Sequence, residues 1–490
     1  MADFNEISDS TRVPGIYIEI DGSQAGLGSD IPRILLVGQK LATGTAPAGE
    51  IVRISSVEDA VKKAGDGSML AQMAATYRKG ETAFELYMLP YSDNPAGVKA
   101  TGTITVSHAA TKAGTLALYI AARAVSVGVG ATDTTTAIAA AIAAAINAAG
   151  ADIPVTATAE DAVVTLTARH AGTCGNDIDI RLSLYDETVP TGLVLDVAAM
   201  ADGAGDPAPG DLTSIIGTKR YRYVALGIND AATLAAWHAE SQYRYKAQPL
   251  GRGFRGFLAF RGDDEAAVEY GTTKNYEHLC CPVIGINPSL TWEIAAALCA
   301  SAGAGLWNNP VKSLESRKLY GIVAKEYFDW TQQNALLYSG MSTLTVAYDG
   351  SVYISRLISM YQKLPNGTPD DAFLDINTPE TMDRIRELTS TEAKRFTGTT
   401  AAKSSEGFGP TVKVTTEDSV KAFLLSLMRN RLIYDLGWCQ EYEYYKTTLV
   451  VSQDLTSPSR FNYWARPIVN SPFYILAGRD TFLRALPIDL

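Results

Sequence analysis

The feature that most constrains this chain lies at its start, where a short strand is tethered by a glycine-bearing spacer to a strand that must be buried. Ile16-Tyr17-Ile18-Glu19-Ile20 alternates apolar with other side chains, as a half-buried strand does, and the turn pair Pro14-Gly15 precedes it. Ile31-Pro32-Arg33-Ile34-Leu35-Leu36-Val37-Gly38 is a compact apolar run suited to the middle of a sheet. Between them, Asp21 to Asp30 carries three glycines, which leaves the first strand free to reach a neighbouring copy as an arm. A terminal apolar strand can also serve its own subunit's sheet, so this reading needs a test. The far end repeats the pattern, with Tyr474-Ile475-Leu476 and Phe482-Leu483 running almost to the last residue. Ile16, Tyr17, Ile18, Ile20, Tyr474, Leu476 and Phe482 are therefore the expected contacts of two strand-forming arms.

Between the arms the pattern is α/β. Strand Ile31–Gly38 precedes a helix capped by Ser55 or Ser56, a second helix with Met69, Met73 and Tyr77 on one face, and a strand over 84–89. After 203 the same alternation returns. There are strands at 221–226, 254–260 and 282–286, a helix capped by Asn229 or Asp230, and a small-residue helix over 292–304. A mixed or parallel sheet with flanking helices follows. Asp349-Gly350 between two alternating runs marks a hairpin. Helices over about 379–392 and 417–431 and a long strand over 442–451 complete the C-terminal part.

The composition changes between 97 and 203. Short strands at 103–107, 115–120, 124–129, 162–167 and 193–198 surround an alanine-rich helix. Ile138, Ile142 and Ile146 make its apolar stripe. Ile178 to Leu184 alternates most cleanly, which puts Asp179 on a solvated face; Asp177 is expected there too. This stretch reads as a separate, mostly-β domain with one helix. The expected division is an arm at 1–30, core at 31–96, the inserted domain at 97–203, core at 204–340, a C-terminal domain at 341–465 and a second arm at 466–490.

Charge and motifs exclude several functions. A net charge of −11 argues against general nucleic-acid binding, which needs a basic face. The acidic first twelve residues hold no export signal, and the uncharged tract 134–151 is mostly alanine and threonine, so neither export nor membrane insertion is expected. Five cysteines without staple-like spacing fit a reducing cytoplasm. Gly38 begins no G-x-G-x-x-G and no Gly-Lys pair exists, so no cofactor is expected. His278-x-Cys280-Cys281 resembles a metal set, but adjacent cysteines diverge on a strand. Asp263-Asp264-Glu265 reads as a solvated turn, and His170 with Cys174 as loop neighbours. With four histidines and no G-x-S-x-G elbow, the chain carries no catalytic signature, and no catalytic, cofactor or metal residue is named.

Several segments together resemble the contractile tail sheath proteins of Mu-like bacteriophages. They are Val13–Tyr17, Pro32–Gln39, Thr165–Ile178 with its Ala168-Arg169-His170-Ala171-Gly172-Thr173-Cys174-Gly175-Asn176-Asp177, Asn334–Leu337, and Ile354–Gln362. The resemblance implies a non-enzymatic structural subunit with a core built from both ends of the chain and an inserted β-sandwich. It further implies self-association as hexameric rings in a helical sheath around an inner tail tube, with baseplate and tail terminator proteins as further partners. Such a protein is made in the bacterial cytoplasm and resides in the virion tail, where contraction drives the tube through an envelope. From the residues alone, another strand-exchange polymer on a surface, or an α/β enzyme with an inserted domain, remain alternatives.

Overall fold

The computed structural model describes residues 31–479 apart from Pro249, Glu326 and Pro410. The strand expected at 16–20 and residue Phe482 lie outside the described residues.

Buried aliphatics set the first strand, β1 (Arg33–Gln39), at the centre of a six-stranded sheet. It is followed by β2 (Val52–Ile54), α1 (Val57–Ala64), α2 (Met69–Gly80) and β3 (Glu85–Tyr91). Helix α1 starts where the Ser56 hydroxyl accepts the Asp59 N–H. Glu58 and Asp59 lie in its first turn and Lys62 and Lys63 in its last, as the helix dipole favours. Helix α2 is capped by Ser68 and buries Met69, Met73 and Tyr77.

The chain then builds β4 (Lys99–His108), β5 (Gly114–Ile120), β6 (Arg123–Val129), α3 (Thr135–Ala148), β7 (Val155–Glu160), β8 (Val163–Ala171), β9 (Ile180–Leu182) and β10 (Val194–Ala201). These strands make two antiparallel sheets, ordered β10-β4-β8-β7 and β6-β5-β9. Thr134 caps α3, and its three isoleucines are buried, with the helix packed on strands of both sheets.

The first sheet is completed by later segments: α4 (Leu212–Ile216), β11 (Tyr223–Leu226), α5 (Ala231–Tyr245), β12 (Arg255–Phe257), α6 (Asp264–Thr272), β13 (Leu279–Cys280) and α7 (Thr291–Asn308). Its order is β13-β12-β11-β1-β3-β2, parallel throughout except for the antiparallel edge strand β2. Helix α7 is buried along most of its length because its small side chains allow close approach. A Cβ on Gly303 would stand 3.0 Å from the Tyr223 ring. A three-stranded sheet follows from β14 (Lys318–Leu319), α8 (Trp330–Tyr338), β15 (Thr343–Val346) and β16 (Val352–Arg356). Its hairpin turns at Gly350, whose φ of +79° suits glycine.

The last part has a small hydrophobic core of its own, around Phe423, Leu427, Met428, Leu432, Trp438 and Tyr445. It comprises α9 (Asn377–Glu392), β17 (Thr400–Ala401), β18 (Val414–Thr415), α10 (Glu417–Ser426), β19 (Cys439–Gln440), α11 (Tyr442–Thr448), β20 (Val450–Gln453), β21 (Phe461–Trp464) and β22 (Ile468–Val469). Helix α10 continues into a π-helical stretch, Leu427–Asp435.

Several expectations are corrected. The long strand over 442–451 is helix α11 followed by short β20, because only Tyr445 and Leu449, four residues apart, are buried in this core. The strand expected at 282–286 is displaced to Leu279–Cys280; beyond it only single bridges join Pro282 to Ser342 and Val283 to Phe260. The alternating run 178–184 pairs over three residues only. Asp263-Asp264-Glu265 is no turn but the cap and first turn of α6. Tyr474 to Leu476 forms no strand within the protomer.

Candidate assembly interface

The C-terminal part presents strand edges and apolar side chains together. β20 pairs only with β21, and β19 only with β22, so each two-stranded ribbon has outer edges without a strand partner among the described residues. Isolated ribbons of this size are marginal, and unpaired edges are templates for further strands. Val450, Tyr463 and Trp464 are more than half exposed on the β20–β21 ribbon, and Leu455 at its turn is 99 % exposed. Sequence reasoning missed this ribbon because it assigned β20 to a longer strand.

From β22 the chain runs out through residues 470–479. The Asn470 N–H still donates to the Trp438 carbonyl. Beyond it, Tyr474 packs its ring under the Arg356 guanidinium, 4.8 Å away, while Phe473, Ile475 and Leu476 are exposed. Of the expected arm contacts, Tyr474 and Leu476 thus lie on one extended tail with different exposure. Ile16, Tyr17, Ile18, Ile20 and Phe482 lie outside the described residues.

Behind these surfaces, two buried polar junctions hold the protomer together. The first ties the 99–201 segment to the main sheet. Gln39 at the end of β1 donates from Nε2 to Asp93 Oδ1 (2.9 Å) and to the Ala171 carbonyl (2.7 Å), and its Oε1 accepts from Cys174 Sγ. His170 Nε2 accepts the Met69 N–H at 3.0 Å, so Nδ1 carries the proton shared with Asp93 at 2.9 Å. Burial works against ionising Asp93, but the His170 contact outweighs it and holds the carboxyl below its ordinary range. Nearby, Arg123 grips Glu293 of α7 with two hydrogen bonds, and Arg181 and Arg261 both reach Asp179. Asp179 is therefore a buried ion-pair partner and not a solvated strand residue.

Asp177 is also turned inward, toward Thr291 at 3.2 Å. Burial pushes its pKa up to about 6, against the attraction of Arg261. A carboxyl whose folded pKa is raised holds its proton in the folded state while the unfolded chain has lost it. Stability therefore falls as pH rises from about 4 to about 6 and stays reduced above that. Asp177→Asn is expected to stabilise the protein by about 1–2 kcal/mol at pH 7.5 and to have little effect near pH 4. Urea unfolding at both pH values checks this; equal effects at both would refute it.

The second junction joins α9 to the main sheet. Arg222 pairs with Glu380 at 3.0 Å and also reaches Glu387; fully buried Arg255 pairs with Asp383 at 2.6 Å and Glu380 at 3.4 Å. Arg386 also binds Asp383, and the Tyr223 hydroxyl donates to Glu380 at 3.2 Å. The signal was present in the sequence, since Glu380, Asp383 and Glu387 recur at helical spacing on one face.

Neither junction has the geometry of a catalytic site. Both ring nitrogens of His170 are engaged, by Asp93 and by a backbone N–H, which leaves none to activate Cys174. Cys280, Cys281 and His278 are buried; burial raises both thiols and holds the imidazole well below its usual range. Among the described residues no group of three or more His, Cys, Asp or Glu could hold a metal ion, and no helix is long and apolar enough to cross a membrane.

Comparison with known proteins gives this architecture a family. Residues 202–360 match the model described as the phage tail sheath protein central domain. The Mu-like prophage FluMu tail sheath protein of Haemophilus influenzae is 30% identical over 486 residues, covering 98% of this chain and 99% of that protein. Among solved structures, the sheath tail protein of Desulfitobacterium hafniense matches at 15% identity and a TM-score of 0.46, over 93% of this chain and all of that one. The PVC sheath complex of an extracellular contractile injection system, in its contracted state, matches at 10% identity and a TM-score of 0.49, over 98% and 99%. The family assignment rests on the full-length Haemophilus relative. With that match spanning the α/β core, the 99–201 segment and the C-terminal ribbons alike, the chain belongs to the phage tail sheath protein family and is a structural subunit of a contractile tail sheath.

Proposed function

We propose that this subunit polymerises into hexameric rings stacked helically around an inner tail tube, and that its two terminal arms complete sheets in neighbouring subunits. The carrying observation is the two antiparallel two-stranded ribbons in the C-terminal part, β19–β22 and β20–β21, each with outer edges lacking a strand partner among the described residues. Ile16, Tyr17, Ile18 and Ile20 at one end, and Tyr474, Leu476 and Phe482 at the other, supply the apolar side chains of the added strands. An added strand satisfies its own backbone groups and those of the edge it joins.

In this reading residues 1–30 and 466–490 are arms, 31–96 and 204–340 form the core, 97–203 is an insertion and 341–465 carries the acceptor ribbons. The protein acts without catalysis or cofactor, in the virion tail, and meets the tube, baseplate and terminator proteins directly, with no nucleic-acid or membrane contact. Contraction draws on surface left unburied at assembly, since the subunit supplies no chemical fuel. Electron micrographs of the purified protein at high concentration test this. Hollow tubes with a six-start lattice are expected; globular protomers under every condition, or filaments without a bore for a tube, would sink it.

A further inference from the structure

A cleft of about 340 Å³ runs between α2 and the 99–201 segment. Gln72, Thr76 and Lys79 recur at helical spacing and set one wall along about 10 Å of α2. Val57, Val61, Ala71 and Ala75 supply an apolar surface, and Asp66 and Asp152 line the cleft as exposed carboxylates. Its deeper polar groups are mostly settled, since Glu293 takes two hydrogen bonds from Arg123 and one from Thr76. Gln72 is not. The indole of Trp292 can only donate, and its Nε1 donates to Gln72 Oε1 at 3.0 Å, which fixes the amide and turns Nε2 the other way. That Nε2 is buried without a hydrogen-bond partner, in a side chain only 8 % exposed. Gln72 also borders a void of about 10 Å³, which is too small for more than a single water. The unmet donor therefore calls for an acceptor lying in the cleft. Asp66, Asp152 and Lys79 make no ion pair among the described residues, so the same occupant meets free charge of both signs.

The turn between β20 and β21 is a protrusion of matching chemistry. Leu455 is 99 % exposed on it, so it does not sit in the cleft of its own copy. The turn is closed and well braced: Asp454 accepts the N–H groups of Thr456 (2.9 Å) and Ser457 (3.0 Å) and the Asn462 amide at 3.0 Å. The Asp454 N–H donates in turn to the Arg460 carbonyl at 2.8 Å. A leucine held out on such a turn loses little further freedom when a partner covers it. Arg460 beside it is exposed and makes no ion pair among the described residues. A knob on one face and a recess on another form a heterologous contact, which repeats from copy to copy as an open helix. We propose that the cleft beside α2 receives the β20–β21 turn of a second copy, with Leu455 against Ala71 and Ala75 and a turn carbonyl accepting from Gln72 Nε2. Arg460 then meets Asp66 and Asp152. This deepens the polymer reading and rests on it, but it needs no strand exchange by the arms.

The test pairs cysteines across the contact in the full-length protein, whose five native cysteines are all buried. Ala75→Cys and Leu455→Cys are made singly and together, assembled at high concentration and oxidised. A disulfide forms only where the two Cα atoms come within about 7 Å. The double variant is expected to give a ladder of covalent oligomers on a non-reducing gel, and each single variant none. Leu455→Asp changes an exposed side chain and so leaves the fold intact. It should raise the concentration needed for assembly by about ten-fold or more. An assembled double variant without a ladder overturns the contact. A ladder from Leu455→Cys alone would set turn against turn and also overturns it. A small molecule that native mass spectrometry finds on the protein, and that Gln72→Leu displaces, would take the cleft away from the second copy. A ladder from filaments without a bore upholds this contact and sinks the tail-tube reading, whereas hollow tubes without a ladder do the reverse.

Discussion

Deleting residues 1–20 is expected to leave a folded protomer, with an unchanged far-ultraviolet spectrum and thermal midpoint, that no longer forms tubes. The magnitudes behind this follow from the residues. Burying Ile16, Ile18 and Ile20 contributes roughly 1.5–3 kcal/mol each before ordering costs. Each backbone hydrogen bond to a neighbour's edge adds about 0.5–1.5 kcal/mol net of water. Ordering the spacer from Asp21 to Asp30 opposes these at about 1–2 kcal/mol per residue fixed. The balance for one arm is moderate, so strength must come from repetition through a lattice. Removing the arm from every subunit removes that repetition everywhere at once. Sedimentation and electron microscopy read the outcome. A deletion protein that unfolds would mean that the strand belongs to its own subunit's sheet; one that still forms tubes would show that the arm is dispensable.

Arg255→Ala should lower the unfolding free energy by about 3–5 kcal/mol, toward the lower end of that range. The Arg255 side chain is fully buried and binds Asp383, Glu380 and the Pro379 carbonyl. Its removal leaves two carboxylates in a dry setting short of one cation. The lower end is expected because Asp383 keeps Arg386 and Glu380 keeps Arg222. The pH dependence gives a second check. Burial works against ionising Glu380, but Arg222 and Arg255 prevail, and its folded pKa lies below the ordinary value. A depressed carboxylate stabilises the fold above its unfolded pKa, near 4.3, and that contribution is lost as pH falls through the folded value. Without Arg255 less is at stake in acid, so the gap between the two proteins should narrow from pH 7 toward pH 3. Urea titrations at both pH values measure it. A loss under 1 kcal/mol at pH 7 would show that the network is not holding α9.

Much of the core was readable because its signals are local. The β1 run, the Met69, Met73 and Tyr77 face of α2, the isoleucine stripe of α3 and the Asp349-Gly350 hairpin all carry their period or turn chemistry within a few residues. What was missed depends on partners distant in sequence. Residues 442–451 have the aromatic and β-branched composition of a strand, yet the C-terminal core takes only Tyr445 and Leu449. Asp179 alternates like a surface residue, but its polar face meets Arg261, contributed by a segment 82 residues later. The two-stranded C-terminal ribbons escaped notice for the same reason. Their strands are only two to four residues long and gain meaning from the edges that they leave open.

The position of the arginine network between α9 and the main sheet bears on force. The C-terminal core and its ribbons pack on the α9 side of it, and the sheet with its insertion lies on the other. Tension applied through the ribbons reaches the main sheet across this joint, while the tail also bears directly on β16 where Tyr474 packs on Arg356. Because Arg222, Arg255, Glu380 and Asp383 are shielded from solvent, dissolved salt screens them weakly. Raising ionic strength should therefore loosen contacts at the rim of the subunit well before it loosens this coupling.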